Sequence, residues 1–218
     1  MSGYKLVMLR EMLKEIGEEE TSKRLSSFSC PLNRDVEKFI HQKAIEFEKQ
    51  SLSSTYLVLA SYKNTYEIAG YFALANKHFV ISERSAMQKS KSGKASNLSK
   101  SLFKRIRKQG DYNKYTGTYT ISAPLIGQLG RNFAVPQKLI SGDEILKIAC
   151  DKVWEGQRLF SGRTVYLECE DIPVLIEFYE SNGFVKFGTR PLDADEKDDL
   201  VGGYLVQMLK DLKVVYER

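Results

Sequence analysis

The 218-residue sequence has few of the side chains on which metal sites, thiol chemistry and disulfide frameworks depend. Its cysteines are Cys30, Cys150 and Cys169, and its histidines are His41 and His78. A reactive cysteine needs a neighbouring activator and a zinc site needs several Cys or His ligands, so this composition favours packed thiols over either kind of site. An odd number of widely spaced cysteines is typical of a reducing compartment, and we expect a cytoplasmic protein without a bound metal.

Long apolar runs are also missing from the sequence. No stretch approaches the roughly 20 apolar residues that a membrane-spanning helix needs. The N-terminal MSGYKLVML is followed by charged residues, so we expect neither a signal peptide nor a membrane partner. Hydrophobic residues make up 42% of the chain and charged residues 28%, as in ordinary globular proteins. A chain of this length is expected to bury a sizeable core.

Positive charge is in modest excess but is concentrated in one segment. The formal net charge is +5, and from Arg84 to Gly110 the chain has nine Lys or Arg residues and no acid. Within this segment, residues 98–109 have apolar side chains at helical spacing, which predicts a short basic amphipathic helix. Residues 84–108, here called the basic arm, have two interpretations: a solvated helix that covers part of a sheet, or a track for RNA phosphates.

Hydrophobic periodicity predicts the elements of the first third of the chain. Residues 4–27 have the apolar spacing of one amphipathic helix. Residues 36–49 form a second predicted helix, for which Asn33 is the expected N-cap. The β-rich segments 55–62 and 68–76 flank a polar turn, which predicts an antiparallel hairpin.

Residues 121–188 alternate strand and helix patterns, which predicts a βαβ unit with a parallel strand pair. Ser141 and Glu144 have the spacing of a capping box, which marks a helix start soon after the first strand. The N–H groups at such a helix start, together with the helix dipole, are suited to bind phosphate. A later helix is expected from Pro173 to a C-cap near Gly183.

Two motifs in this stretch resemble the GCN5-related N-acetyltransferase (GNAT) superfamily. The family's pyrophosphate loop reads Gln/Arg-x-x-Gly-x-Gly/Ala, and residues 137–142 match its first and last positions, with Ile140 at the middle glycine. The family's later helix often reads Phe-Tyr-x-x-x-Gly-Phe, and residues 178–184 match it fully. Residues 129–131, Leu-Gly-Arg, are similar to the strand before the loop in a branch that includes toxins acetylating aminoacyl-tRNA.

The resemblance covers residues 26–80 and 120–188, and it implies the fold. That fold is α/β, with a mixed, mostly antiparallel sheet that is splayed at a central parallel strand pair and has helices on both faces. The chain would then be a single GNAT-like acetyltransferase domain, residues 1–218, with a basic insertion at about 83–118.

The resemblance also implies acetyl-CoA as co-substrate. Its diphosphate would rest on the loop, and its pantetheine would hydrogen-bond with the backbone of the preceding strand, which could also donate to an oxyanion. The residues expected to bind the coenzyme are Leu129, Gly130, Arg131, Gln137, Lys138, Leu139, Ile140, Ser141, Gly142 and Asp143.

Tyr179 and Glu170 are the expected catalytic residues. In family members with this motif the tyrosine hydroxyl lies near the coenzyme sulfur, and a phenol with a pKa of about 10 can protonate a leaving thiolate. The alternative for Tyr179 is packing in the core. A carboxylate at the strand end, Glu168, Glu170 or Asp171, could act as general base, or could serve as a solvated charge or as the N-cap of the later helix.

Three functions stay open at this point. The first is an N-acetyltransferase that moves acetyl to the primary amine of a small molecule or peptide. The second is a toxin-like acetyltransferase of aminoacyl-tRNA, which the basic arm 84–108 supports. The third is a non-catalytic, acyl-CoA-binding GNAT-like protein, which the replacement of a motif glycine by Ile140 supports. Acetyl-CoA and an amine acceptor are the expected partners, and a homodimer is left open.

Overall fold

The computed structural model describes residues 3–84, 98–135, 139–194, 196–197, 200 and 202–212. Its first elements are β1 (Tyr4–Met8), α1 (Leu9–Leu25), α2 (Arg34–Lys38), a π-helical turn (Phe39–Lys43), α3 (Ala44–Lys49), β2 (Ser54–Tyr62) and β3 (Thr65–Ser82). After these come α4 (Lys100–Ile106), a 3₁₀ turn (Arg107–Gln109), β4 (Asp111–Asn113) and β5 (Thr118–Arg131). The last elements are α5 (Gly142–Phe160), β6 (Thr164–Cys169), α6 (Pro173–Ser181), β7 (Val185–Pro191) and β8 (Tyr204–Asp211).

The strands form one mixed sheet in the order β1-β2-β3-β5-β6-β8-β7, and β4 pairs with β5. The pairs β1/β2, β2/β3, β4/β5, β6/β8 and β7/β8 are antiparallel. Strands β5 and β6, which α5 connects, are parallel. The predicted mixed, mostly antiparallel α/β sheet with a parallel pair is therefore confirmed. The predicted hairpin is confirmed as β2 and β3, with Lys63 and Asn64 at positive φ in its turn.

The chain divides into two compact units. The first comprises Met1–Ala75 and Ile126–Asp151, and the second comprises Asn76–Leu125 and Lys152–Arg218. Strands β3 and β5 and helix α5 each contribute residues to both units. We describe the two units separately.

In the first unit, the predicted N-terminal helix is wrong for its first residues. Tyr4 to Met8 form an edge strand that pairs with Ala60 to Tyr56 of β2, and α1 begins only at Leu9. Helical spacing was present in the sequence, but pairing with a distant strand decides the conformation of these residues. Within α1, Gly17 adopts φ +77° and kinks the helix.

The second predicted helix of this unit is confirmed over residues 34–49. Asn33 is its N-cap, and the Asn33 side chain accepts a hydrogen bond from the Val36 N–H at 3.1 Å. A π-helical turn interrupts the α-helix between α2 and α3. Near its end, the buried Glu48 accepts the Thr55 N–H at 2.7 Å and pairs with Arg10 at 2.7 Å, which ties α1, α3 and β2 together.

In the second unit, the predicted basic amphipathic helix is confirmed as α4. Phe103 and Ile106 of α4 are buried in a core with Ile121 and Phe187. The C-terminal segment forms β8, which pairs with both β6 and β7. Within the described ranges of both units, no helix is long and apolar enough to cross a membrane.

Candidate functional site

The start of α5 is closed by a capping box, as the sequence predicted. The Ser141 N–H donates to Glu144 Oε2 at 2.7 Å, and the Glu144 N–H donates to Ser141 Oγ at 3.1 Å. The Ile145 N–H then donates to the Ser141 carbonyl at 3.1 Å. The first N–H groups of a helix have no acceptor within the helix. Here Gly142 provides the first of them, where the positive end of the helix dipole favours an anion.

Ile140 is buried, with 3% of its surface exposed, although it stands where the family motif has a glycine. Its side chain therefore does not cover the exposed side of the loop, where Ser141 and Gly142 are partly exposed and Asp143 is exposed. Gln137 and Lys138 of the same motif lie outside the described residues. The Ile140 side chain, which replaces the motif glycine, is buried and leaves the start of α5 accessible.

Gly130, near the end of β5, is required by packing. A Cβ at this position would lie 2.5 Å from Val36 Cγ1 and 3.2 Å from the Phe28 ring. A Cβ on Gly70 of β3 would in turn lie 2.9 Å from the Gly130 carbonyl oxygen. The glycine of the Leu-Gly-Arg segment thus has a structural reason of its own, independent of any ligand.

The side chain of Asn132, which sequence reasoning missed, organises the chain just after β5. Asn132 is 4% exposed. Its Oδ1 accepts the Ser29 N–H at 3.0 Å and the Ala134 N–H at 2.9 Å, and its Nδ2 donates to the Ile68 carbonyl at 2.7 Å. These bonds hold the end of β5 to β3 and to the loop that follows α1. Because they join residues far apart in the sequence, no local pattern predicts them.

Leu129 and Arg131 flank this packed glycine and are partly exposed. The Arg131 guanidinium lies 3.9 Å from the centre of the Phe133 ring, a cation–π distance. The Arg131 side chain therefore packs against Phe133 within the chain. The predicted interaction of residues 129–131 with pantetheine concerns their backbone.

Tyr179 lies in α6, whose predicted start and end are confirmed. Pro173 occupies the first turn and Gly183 follows the helix at φ +82°. The Tyr179 ring packs against Phe178 and Phe184, with centroids 5.0 and 6.0 Å away. Burial raises the pKa of the Tyr179 hydroxyl above its ordinary value, and the nearby Cys169 thiol raises it further. The raised pKa keeps the phenol protonated at neutral pH, and among the described residues nothing hydrogen-bonds this hydroxyl.

The three candidate carboxylates lie in the last residues of β6 and directly after it. Glu168 accepts from Arg190 Nε and Gln207 Nε2, each at 2.8 Å. Asp171 accepts from the Tyr204 hydroxyl at 2.5 Å. The N-cap of α6 is Ile172, so the interpretation of Asp171 as N-cap is wrong. Glu170 is partly buried between them, directly after the last residue of β6.

The cysteines are buried and form no disulfide. Burial raises the pKa of the Cys169 thiol to about 12, and the neighbouring Asp171 adds to this. Burial likewise raises the pKa of Cys30. His41 bonds through Nε2 to the Phe28 carbonyl oxygen at 2.8 Å. These protonated, packed thiols support the expectation that the cysteines are structural.

The basic residues of α4 and the following turn fall into two groups. Arg105 pairs with Asp211 at 3.0 Å and Arg107 pairs with Glu83 at 3.4 Å. Three lysines at helical spacing, by contrast, are exposed and form no ion pair within the described part of the chain: Lys100, Lys104 and Lys108. We call these three the lysine stripe, and they are part of the solvent-facing charge of the basic arm.

The fold has counterparts among solved structures, although no family model and no curated protein matches the chain in sequence. A structure described as a bacterial toxin aligns with a TM-score of 0.60 and 13% identity over 97% of this chain and 92% of its own. AtaT complexed with acetyl-methionyl-tRNAfMet aligns with a TM-score of 0.56 and 17% identity over 94% of each chain. A third structure is a tyrosine-to-phenylalanine mutant of the AtaT toxin, bound to acetyl-CoA and the C-terminus of the antitoxin AtaR. It aligns with a TM-score of 0.53 and 14% identity over 95% of this chain and 92% of its own. The predicted fold is confirmed by this likeness.

Proposed function

We propose that the chain is an acetyl-CoA-dependent N-acetyltransferase, an acyltransferase that moves an acetyl group to a primary amine. One observation carries the proposal: nearly the whole chain shares its fold with a toxin that is bound to acetyl-CoA. The residues of the predicted site are compatible with that co-substrate.

The loop before α5 fits a diphosphate. A helix start with its cap in place presents N–H groups and a positive dipole end, which suit an anion. Leu139, Ile140, Ser141, Gly142 and Asp143 would hold the diphosphate there, together with Gln137 and Lys138 of the same motif. The burial of Ile140 supports this assignment, because its side chain does not occupy the exposed side of the loop.

Acetyl-CoA supplies the activated acetyl group as a thioester. Within the chain, Tyr179 holds a proton on its hydroxyl because its pKa is raised, and we assign it as the general acid for the leaving thiolate. Glu170, a partly buried carboxylate directly after β6, is the proposed general base. Backbone N–H groups of residues 129–131 would donate to the pantetheine and to the developing oxyanion.

A second candidate acceptor is aminoacyl-tRNA, and the lysine stripe favours it. Three exposed lysines on one helix face form a positive surface of the kind that binds phosphates. The α-amino group of an aminoacyl ester is also a primary amine, so the same acid–base chemistry serves both acceptors. AtaT, which shares the fold, is seen with an acetylated aminoacyl-tRNA.

The experiment is an acetyl-transfer assay with labelled acetyl-CoA against a panel of amines, peptides and aminoacyl-tRNAs. Label in an amide product that depends on the enzyme is the expected result. Transfer to aminoacyl-tRNA alone selects the second acceptor. Tight coenzyme binding without transfer to any member of the panel would instead favour the non-catalytic protein.

We further propose that residues 1–218 form one acetyltransferase domain in which residues 83–118 are a basic insertion. A single domain unfolds cooperatively, so far-UV circular dichroism and Trp154 fluorescence should give coincident transitions. Two separated transitions would contradict this organisation. The homodimer stays a prediction, which sedimentation velocity can check.

A further inference from the structure

The β4–β5 hairpin exposes tyrosine rings that the proposed acetyl transfer does not use. Tyr112 of β4 is 58% exposed, and Tyr115 in the turn is 87% exposed. The turn is ordered: Asn113 Oδ1 accepts the Tyr115 N–H at 3.0 Å, and Gly117 closes it at φ +68°. Exposed aromatic rings on a fixed turn are unfavourable in water and are typical of binding surfaces.

One side of this hairpin borders a depression of about 660 Å³. Tyr112 and Tyr119 line it together with Ser82, Arg84 and Thr118. The Tyr112 and Tyr119 rings are 4.8 Å apart and tilted by 40°, and Phe103 packs edge-on against Tyr119 at 5.9 Å. The rings are thus held in place from behind, so a planar ligand could stack on Tyr112 at a low cost in side-chain entropy.

Positive charge lies next to two of these rings and at the edge of the depression. Lys114 Nζ lies 5.2 Å from the centre of the Tyr115 ring, and the Arg107 guanidinium lies 6.0 Å from that of Tyr119. Arg84, at the edge of the depression, is exposed and forms no ion pair in the part of the chain that the structure describes. Two acids lie here among the described residues: Glu83, which lines the depression and pairs with Arg107 at 3.4 Å, and Asp111 at the start of β4.

We propose that this hairpin surface binds single-stranded nucleic acid. Unpaired bases stack on the rings of Tyr112 and Tyr115, and the charges of Arg84 and Lys114 attract the backbone phosphates. Stacking platforms next to cations are the means by which proteins hold unpaired strands without reading their sequence. An acidic peptide would use the cations but would leave the ring faces without planar partners. None of its residues belongs to the proposed acetyl-transfer site.

The experiment measures fluorescence anisotropy of labelled RNA and DNA single strands of about 12 nucleotides, with the full-length protein, between about 50 and 200 mM salt. Tyr115→Ala should weaken binding about tenfold at every salt concentration, because loss of a stacked base does not involve counterions. Tyr115→Phe keeps the ring and should bind like the wild type. Arg84→Gln with Lys114→Gln should flatten the salt dependence instead.

The matched control is Tyr66→Ala, which removes another ring that is 61% exposed but lies on β3 of the first unit. It should leave affinity unchanged. Binding of RNA, of DNA or of both supports the proposal, and the difference identifies the natural strand. Failure of the wild type to bind either strand at about 50 mM salt, or a Tyr115→Ala protein within twofold of the wild type, overturns it. Acetyl-CoA binding is measured in parallel, so a failure here is distinct from a failure of the proposed enzyme.

Discussion

Ser141 and Glu144 form two reciprocal hydrogen bonds at the start of α5. Each backbone N–H donates to the side chain of the other residue, at 2.7 Å from Ser141 and 3.1 Å from Glu144. The pair sets the helix boundary at Gly142. It follows that the helix start exists before any ligand arrives, and that an anion bound there meets N–H groups already oriented.

The first prediction concerns Gly142. Replacing it with Leu should weaken acetyl-CoA binding at least tenfold, because a side chain would stand where the diphosphate approaches the backbone, and calorimetric titration measures this. The free energy of unfolding should change by less than about 1 kcal/mol, since leucine is a good helix former. Gly156→Ala, in the same helix, is the control: its Cβ would meet only the Phe160 ring at 3.9 Å, an ordinary contact, so it should bind normally. Normal binding by Gly142→Leu would place the phosphate site elsewhere.

The second prediction concerns Tyr179. Tyr179→Phe removes only the hydroxyl, so turnover should fall by roughly 10²-fold or more while coenzyme affinity holds. Because burial raises the pKa of Tyr179, the hydroxyl should stay protonated up to at least its ordinary pKa of about 10. The ratio of wild-type to mutant turnover should therefore be constant from about pH 7 to about pH 10. A mutant within twofold of the wild type would return Tyr179 to a packing role.

The third prediction separates structure from function at Gly130. Gly130→Ala should lower the free energy of unfolding by roughly 1–3 kcal/mol, because its Cβ would overlap Val36 Cγ1. Adding Val36→Ala removes that atom, so the double mutant should be more stable than the two separate losses predict. Denaturant unfolding measures all three proteins. Additive losses would show that the strain does not arise at Val36.

The fourth prediction tests the lysine stripe. The slope of log K against log salt for tRNA binding reports how many phosphates the protein neutralises. Changing Lys100, Lys104 and Lys108 to Gln should lower that number by about three. Arg105 and Arg107 stay in place because they pair with Asp211 and Glu83.

The matched control for the stripe changes three exposed lysines of the first unit to Gln: Lys5, Lys14 and Lys23. The net charge falls by the same amount as in the stripe mutant. That protein should bind tRNA like the wild type. Equal weakening in both triple mutants would mean that only net charge matters, and unchanged binding in the stripe mutant would exclude the stripe as an RNA contact.

Local signals account for the correct part of the sequence interpretation. The capping box at Ser141, the N-cap at Asn33 and the glycine after α6 each depend on neighbours within a few residues, and the structure has all of them. The resemblance to a known family supplied the mostly antiparallel sheet splayed at a central parallel strand pair, and only the structure gives the order of the strands.

Features that depend on distant residues could not be predicted. The strand at residues 4–8 exists because β2 offers a pairing edge, and its helical spacing was misleading. Asn132 is a hub because it meets Ser29, 103 residues away in sequence, and Ile68, 64 residues away. The engagement of Glu168 by Arg190 joins β6 to β7 and likewise has no local signal.

Calorimetric titration of the full-length protein with acetyl-CoA tests most directly whether the chain is an acetyl-CoA-dependent acetyltransferase, because both proposed acceptors need this co-substrate. The account predicts saturable binding with a dissociation constant below about 1 mM and a rise in melting temperature with coenzyme concentration. Weaker binding by Gly142→Leu should accompany it. No heat of binding at about 1 mM acetyl-CoA, with no shift in melting temperature, would contradict the account.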